Sequence, residues 1–205
     1  MSESLVPKNK IVILLFHPVF HKSRVNSVLL NAIEGIGGVT CRNMYDLYAD
    51  YHIDIKEEQE VLQQHDIIVW QHPFYWYSSP SLMKEWLDLV LEHGFAYGSE
   101  GRALEGKSVM SAISTGGRRE AYSAEEGVKF SIRQLLAPVE QTVGLCRMNY
   151  LPPFVTHGTH LLKKDQIEKA GENYGRVIRT LVEGTMEPEA LLKCEYINDL
   201  TSSPP

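Results

Sequence analysis

Two kinds of hydrophobic pattern alternate along the chain. KIVILLF at 10–16 and DIIVWQH at 66–72 are aliphatic runs without polar alternation, the mark of parallel strands covered on both faces. KSVMSAIST at 107–115 reads as a further strand, and Thr40 to Tyr45 as a weaker one. Between them the apolar spacing becomes helical. Val25, Val28, Leu29, Ala32, Ile33 and Ile36 form one stripe, with Ser23 as N-cap and Gly35, Gly37 and Gly38 ending the run. IDIKEEQEVLQQH predicts a short polar helix with Val61 and Leu62 inward, and SPSLMKEWLDLVLEHG one with Leu82, Trp86, Leu89 and Val90 along one side. Another helix is expected between Ala124 and Ala137. A final one runs from Asp165, with Ile167, Ala170, Tyr174, Val177, Ile178 and Leu181 inward. MNYLPPFVTHG holds a fifth strand that Pro152 and Pro153 weaken, because proline cannot donate to a ladder.

Strand and helix thus alternate without repeats or linkers. This predicts a three-layer α/β fold around a doubly wound parallel five-stranded sheet in a single domain over 1–184. The remainder, 185–205, ends in TSSPP and is expected to be a loosely attached tail.

Composition narrows the function classes. A length of 205 residues, 43% hydrophobic and 22% charged, is ordinary for one globular domain. A net charge of -6 argues against general nucleic-acid binding, and Arg118-Arg119 and Lys163-Lys164 are too short to reverse it. Cys41, Cys146 and Cys194 lack the spacing of a zinc site or a disulfide framework, so a reducing cytoplasm is the natural reading. The longest apolar run falls well short of the ~20 residues of a membrane span.

Three unusual segments begin where strands end: HPVFHKSRVN, QHPFYWYSSP and STGGRREAY. If the strand order is 2-1-3-4-5, these loops meet in one crevice at the switch point, where a planar phosphorylated cofactor would fit. Ser23 and the amides of Arg24, Val25 and Asn26 open a helix suited to an anion, although Ser23 could equally be a plain cap. Phe74, Tyr75, Trp76 and Tyr77 offer flat apolar walls; their bland reading is core or interface packing. Gly116 and Gly117 allow close backbone approach, and Tyr122 adds a phenolic donor. His17 and His21 lack the acidic or thiol partners of a metal site, so no metal is assigned.

Taken together, HPVFHKSRVN, IDIKEEQ, VWQHPFYWYS, KEWLDLVLEHGFAYG, STGG and CRMNYLPPF resemble the NAD(P)H:quinone reductases of flavodoxin-like fold. The similarity is greatest to the ancillary flavoproteins of bacterial glutathione-gated potassium efflux systems, and runs from about Lys10 to Gly184. The resemblance implies that His17, Ser23, Arg24, Val25 and Asn26 hold a flavin phosphate. It places Phe74 to Tyr77 and Ser114, Thr115, Gly116 and Gly117 around the ring. It further implies a homodimer, with Phe95 and Tyr97 entering the partner's site. FMN is preferred over FAD, with NAD(P)H as co-substrate and a two-electron ping-pong transfer to a quinone or similar electrophile. The alternative is an ancillary subunit of a membrane potassium efflux protein, at the inner face of the cell membrane, with flavin mainly structural. An azo- or nitroreductase would use the same site. One departure stands out: the animal-type enzymes place a histidine six positions beyond the residue matching Tyr122, where this chain has Val128. Without a histidine relay, Tyr122 or water is left to balance charge on the reduced ring, and Tyr122 is the expected catalytic residue.

Overall fold

The computed structural model describes residues 7–122 and 129–201. Strands β1 (Ile11–Leu15), β2 (Val39–Asn43), β3 (Ile67–Pro73), β4 (Ser108–Ser114), β5 (Asn149–Tyr150) and β6 (Phe154–Thr156) form one sheet of order β2-β1-β3-β4-β5, with β6 also on β4. Every pairing is parallel. The helices are α1 (Arg24–Asn31), α2 (Met44–Leu47), α3 (Ile55–Gln63), α4 (Ser81–Val90), α5 (Ile132–Leu135), α6 (Ala137–Leu145), α7 (Lys164–Glu183), α8 (Pro188–Lys193) and α9 (Asn198–Thr201).

The doubly wound sheet expected from the alternation is present, and β1, β3 and most of β4 are buried on both faces. One face carries Val12, Leu14, Ile68 and Trp70 against Leu82, Met83 and Trp86 of α4. The other carries Ile11, Ile13, Val69 and Met110 against α1 and α7. Within α4, Met83 takes a buried place and Leu89 is half-buried, a small rotation of the expected stripe. Helix α7 lies unusually close to α1. A Cβ on Gly175 would sit 2.9 Å from the Ala32 carbonyl oxygen and one on Gly171 2.8 Å from Val28.

Two expectations change. The fifth strand is realised as two fragments: β5 pairs with Ser108–Val109 and β6 with Ala112–Ser114. Pro152 and Pro153 lie between them, where the chain has no amide hydrogens to offer. The expected loose tail is not loose over 188–201, because Tyr196 and Ile197 are buried and the Ile197 amide donates to the Pro153 carbonyl at 3.1 Å. The Asn198 side chain accepts from the Val155 amide at 2.8 Å and donates to its carbonyl at 2.9 Å. It thereby satisfies the open edge of β6, which sequence pattern could not reveal. Part of the helix expected between Ala124 and Ala137, and Val128 itself, fall at 123–128, outside the described residues. No helix among the described residues is long and apolar enough to cross a membrane.

A buried carboxylate anchors α3 beneath the sheet. Glu58, fully buried, accepts from Trp86 Nε1 at 2.9 Å, Tyr48 Oη at 2.8 Å and Arg42 Nη2 at 2.6 Å. Without it the Trp86 and Tyr48 donors lose their acceptor in the interior and Arg42 keeps only its half-exposed pair with Glu57, so Glu58→Ala should cost about 3–5 kcal/mol, read as a lower urea midpoint at unchanged slope.

Candidate functional site

The carboxyl ends of β1, β3 and β4 lie side by side, and the loops leaving them meet as the strand order predicts. A cavity of about 460 Å³ opens there, lined by residues of all three loops. From the first come His17, Ser23, Arg24, Val25 and Asn26; from the second Phe74, Tyr75 and Trp76; from the third Ser114 and Gly116.

The first wall is the start of α1. Ser23 Oγ accepts from the Asn26 amide at 3.1 Å, so the residue does cap its helix, and the helix begins at the cavity with its positive end inward. Two of the expected ligand residues have structural duties. Arg24 donates to the Leu162 carbonyl at 3.0 Å, turning its guanidinium toward the loop before α7. Asn26 is buried: its Nδ2 donates to Ser114 Oγ at 3.0 Å, its Oδ1 accepts from Gln71 at 3.3 Å, and Gln71 in turn accepts from Tyr174 Oη at 3.0 Å. Asn26 therefore ties α1, β3 and β4 together. His17 Nδ1 accepts from the Val19 amide at 3.2 Å, and burial pushes its pKa below the usual value. A neutral ring bonded this way carries its proton on Nε2.

The second wall is a tight turn. Trp76 and Tyr77 have φ of +51° and +61°, the Ser78 amide donates to the Tyr75 carbonyl at 2.9 Å, and Tyr75 and Ser78 bridge. This has the signature of a type I′ turn, normally given to Asn-Gly, built here from two large aromatics. Such positions cost about 1–3 kcal/mol each and persist where function needs them. Trp76 is 93% exposed, with no described residue of its own chain covering its ring. Phe74 instead sinks against Ile113 and Tyr122, and Tyr77, half exposed, stands off the cavity.

The third wall is braced from behind. Thr115 is buried, its hydroxyl donating to the Gly117 carbonyl at 2.8 Å and its amide to the Thr156 carbonyl at 2.9 Å. A Cβ on Gly117 would lie 3.0 Å from the Tyr122 ring, so the glycine permits the loop to pass over that side chain. Tyr122 is thus buried behind the loop and does not line its own chain's cavity. Phe95 and Tyr97 are half-buried against the core cluster that contains Leu91 and Leu104, also away from this cavity. The sequence reading missed Val19, Lys22, Pro73, Thr159 and His160, all of which line it. Lys22 sits inside HPVFHKSRVN and was open to notice; Thr159 and His160 arrive only because β6 ends beside β4.

This is an open, doubly wound α/β protein whose 460 Å³ cavity lies at the point where strand order reverses. The chain belongs to the family described as having the flavodoxin-like fold, whose model matches residues 9–178. It is similar to the glutathione-regulated potassium-efflux system ancillary protein KefG of Pectobacterium atrosepticum, at 42% identity over 81% of this chain and 91% of that one. Among solved structures it resembles general stress protein 14 of Treponema denticola in complex with FMN, with TM-score 0.80 and 35% identity, covering 84% and 99% of the two chains. An NADPH-quinone reductase from P. pentosaceus is similar at TM-score 0.75 and 32% identity, covering 82% and 96%.

Beneath the site, burial pushes the His72 pKa down to about 4, partly offset by its bond to the Pro73 carbonyl. The native state then binds fewer protons than the unfolded chain, so this contribution is complete above about pH 6.5 and lost as pH falls toward 4. Stability should drop by about 1.4 kcal/mol per pH unit for this proton, and urea titrations between about pH 7 and 5 should show a shallower loss in His72→Phe.

Proposed function

We propose that this protein is an NAD(P)H-dependent flavin oxidoreductase that carries FMN in the 460 Å³ cavity and reduces quinones or similar electrophiles. The observation that carries the reading is the meeting of a capped helix start, an aromatic turn and a glycine loop in one cleft at the switch point. Its volume lies within the roughly 300–1,000 Å³ of small-molecule sites. The relatives support the same reading: one similar structure contains FMN and another is a quinone reductase. FMN is favoured over FAD because the three walls suffice for a mononucleotide.

The residues present fit that group. The N-terminal amides of α1, Ser23 and the Nε2–H of His17 would hold the phosphate, with Lys22 adding positive charge. Gly116 and Gly117 would offer backbone amides to the polar edge of the ring, and Tyr75 and Trp76 would wall its faces. When bound, the flavin supplies hydride acceptance from the nicotinamide and donation to the acceptor, in two visits to the same place. The chain's part is to orient the ring, keep the slot apolar and exclude water. Tyr122, behind Gly117, stands ready to balance charge through the loop. Phe95 and Tyr97 are assigned to the neighbouring site in a homodimer. An ancillary role beside a membrane potassium efflux protein is the second reading, favoured by the similarity to KefG; it predicts that Tyr122→Phe would spare transporter activation while slowing turnover.

Protein reconstituted with FMN should bleach in the blue on anaerobic mixing with NADPH or NADH and recolour on adding a quinone; failure with both nucleotides defeats the enzyme reading. Trp76→Ala should leave the urea midpoint unchanged, since the ring is exposed, yet lower quinone turnover about three- to tenfold through lost stacking.

A further inference from the structure

We infer that the segment after α7 is a clamp on the third loop, with Arg119 as the positioning residue through which it sets the place of Gly116 and Gly117. This rests on the proposed site and adds to it an element beyond residues 9–178, the span that the family model matches.

Arg119 lies in the loop after β4, within the 3-10 turn Arg119–Tyr122. Its Nη1 and Nη2 grip Asp199 Oδ1 and Oδ2 at 3.1 and 2.9 Å, a two-pronged pair, and Nη2 also meets Glu195 Oε2 at 3.2 Å. The same guanidinium stacks 4.7 Å over the Tyr196 ring. From there rings continue inward: Tyr196 to His157 at 5.4 Å between centroids, and His157 to Tyr122 at 5.8 Å. Tyr122 is the ring beneath Gly117. The backbone closes the circuit, since the Gly158 amide donates to the Gly117 carbonyl at 2.8 Å and the Thr159 amide to the Thr115 carbonyl at 3.0 Å. The segment's other end is fixed independently. Asn198 holds β6, and Arg176 Nε donates to the Thr201 carbonyl at 3.0 Å.

A loop held only by its own hydrogen bonds could shift its amides by the fraction of an ångström that matters for an oriented ligand. Here a forked arginine joins it to a segment that is itself buried at Tyr196 and Ile197. The pairs are partly exposed, so the clamp weakens as salt rises.

FMN affinity measured by fluorescence quenching, the band shape of the bound flavin, and amide exchange over 116–122 in flavin-free protein together test this. Arg119→Gln and Asp199→Asn should each weaken FMN binding about tenfold, alter the vibronic structure of the flavin band and speed exchange in that loop, while α4 exchanges as before. Arg119→Lys, which keeps the charge without the fork, should fall between. Glu195→Gln removes a single exposed pair and gives a smaller effect of the same sign, which keeps the test open if Arg119→Gln does not fold. Native protein that binds FMN alongside variants with unchanged affinity, band shape and exchange overturns the clamp. Native protein that takes up no FMN overturns the site reading instead, and leaves loop exchange to judge the clamp alone.

Discussion

The chain of buried hydrogen bonds from Tyr174 through Gln71 and Asn26 to Ser114 is the constraint on which the cleft depends. Each of these polar groups is out of water and is stable there only while its neighbour answers it. The start of α1 and the ends of β3 and β4 therefore cannot drift apart without stranding one of them. The Phe16 amide adds β1 to the same frame by donating to the Gln71 carbonyl at 2.8 Å. A site assembled from three loops needs such a fastening, since loops by themselves position ligands poorly.

Around that frame the structure separates residues that hold the cleft from residues that face it. Thr115 and Tyr122 brace the cleft from behind, and Arg24 and Asn26 border it while spending side-chain hydrogen bonds on neighbouring protein. Ser23, His17, Gly116 and the aromatics of the β3 turn border the space. The Trp76-Tyr77 turn is the costliest part of the second group, with two bulky residues in a backbone region that favours glycine and one ring almost wholly in solvent. Folding alone would have chosen smaller residues there, which is why the turn argues for a partner surface, whether a flat ligand or a second subunit.

The C-terminal segment alters how the chain compares with its relatives. The family model ends within α7, yet Tyr196, Ile197 and Asn198 complete the edge of β6 and cover the rear of the glycine loop. An element outside the matched span thus reaches the back of the glycine loop.

How much could be read in advance varies with the range of the interaction. The strands of KIVILLF and DIIVWQH, the Ser23 cap and the helical stripe of α7 were legible because burial on both faces, a cap and a period near 3.6 are local properties of consecutive residues. The doubly wound class followed from alternation, and the meeting of the loops after β1, β3 and β4 from the strand order expected of the family that the motifs resemble. The sequence by itself therefore determined the fold class and the neighbourhood of the cleft. Tertiary structure alone decided that Asn26 would be a buried tie, that Arg24 would turn to Leu162, that Thr159 and His160 would join the wall, and that the last residues would dock. Each of these depends on contacts between segments far apart in the chain, and no local pattern encodes where a distant carbonyl or an open strand edge will stand.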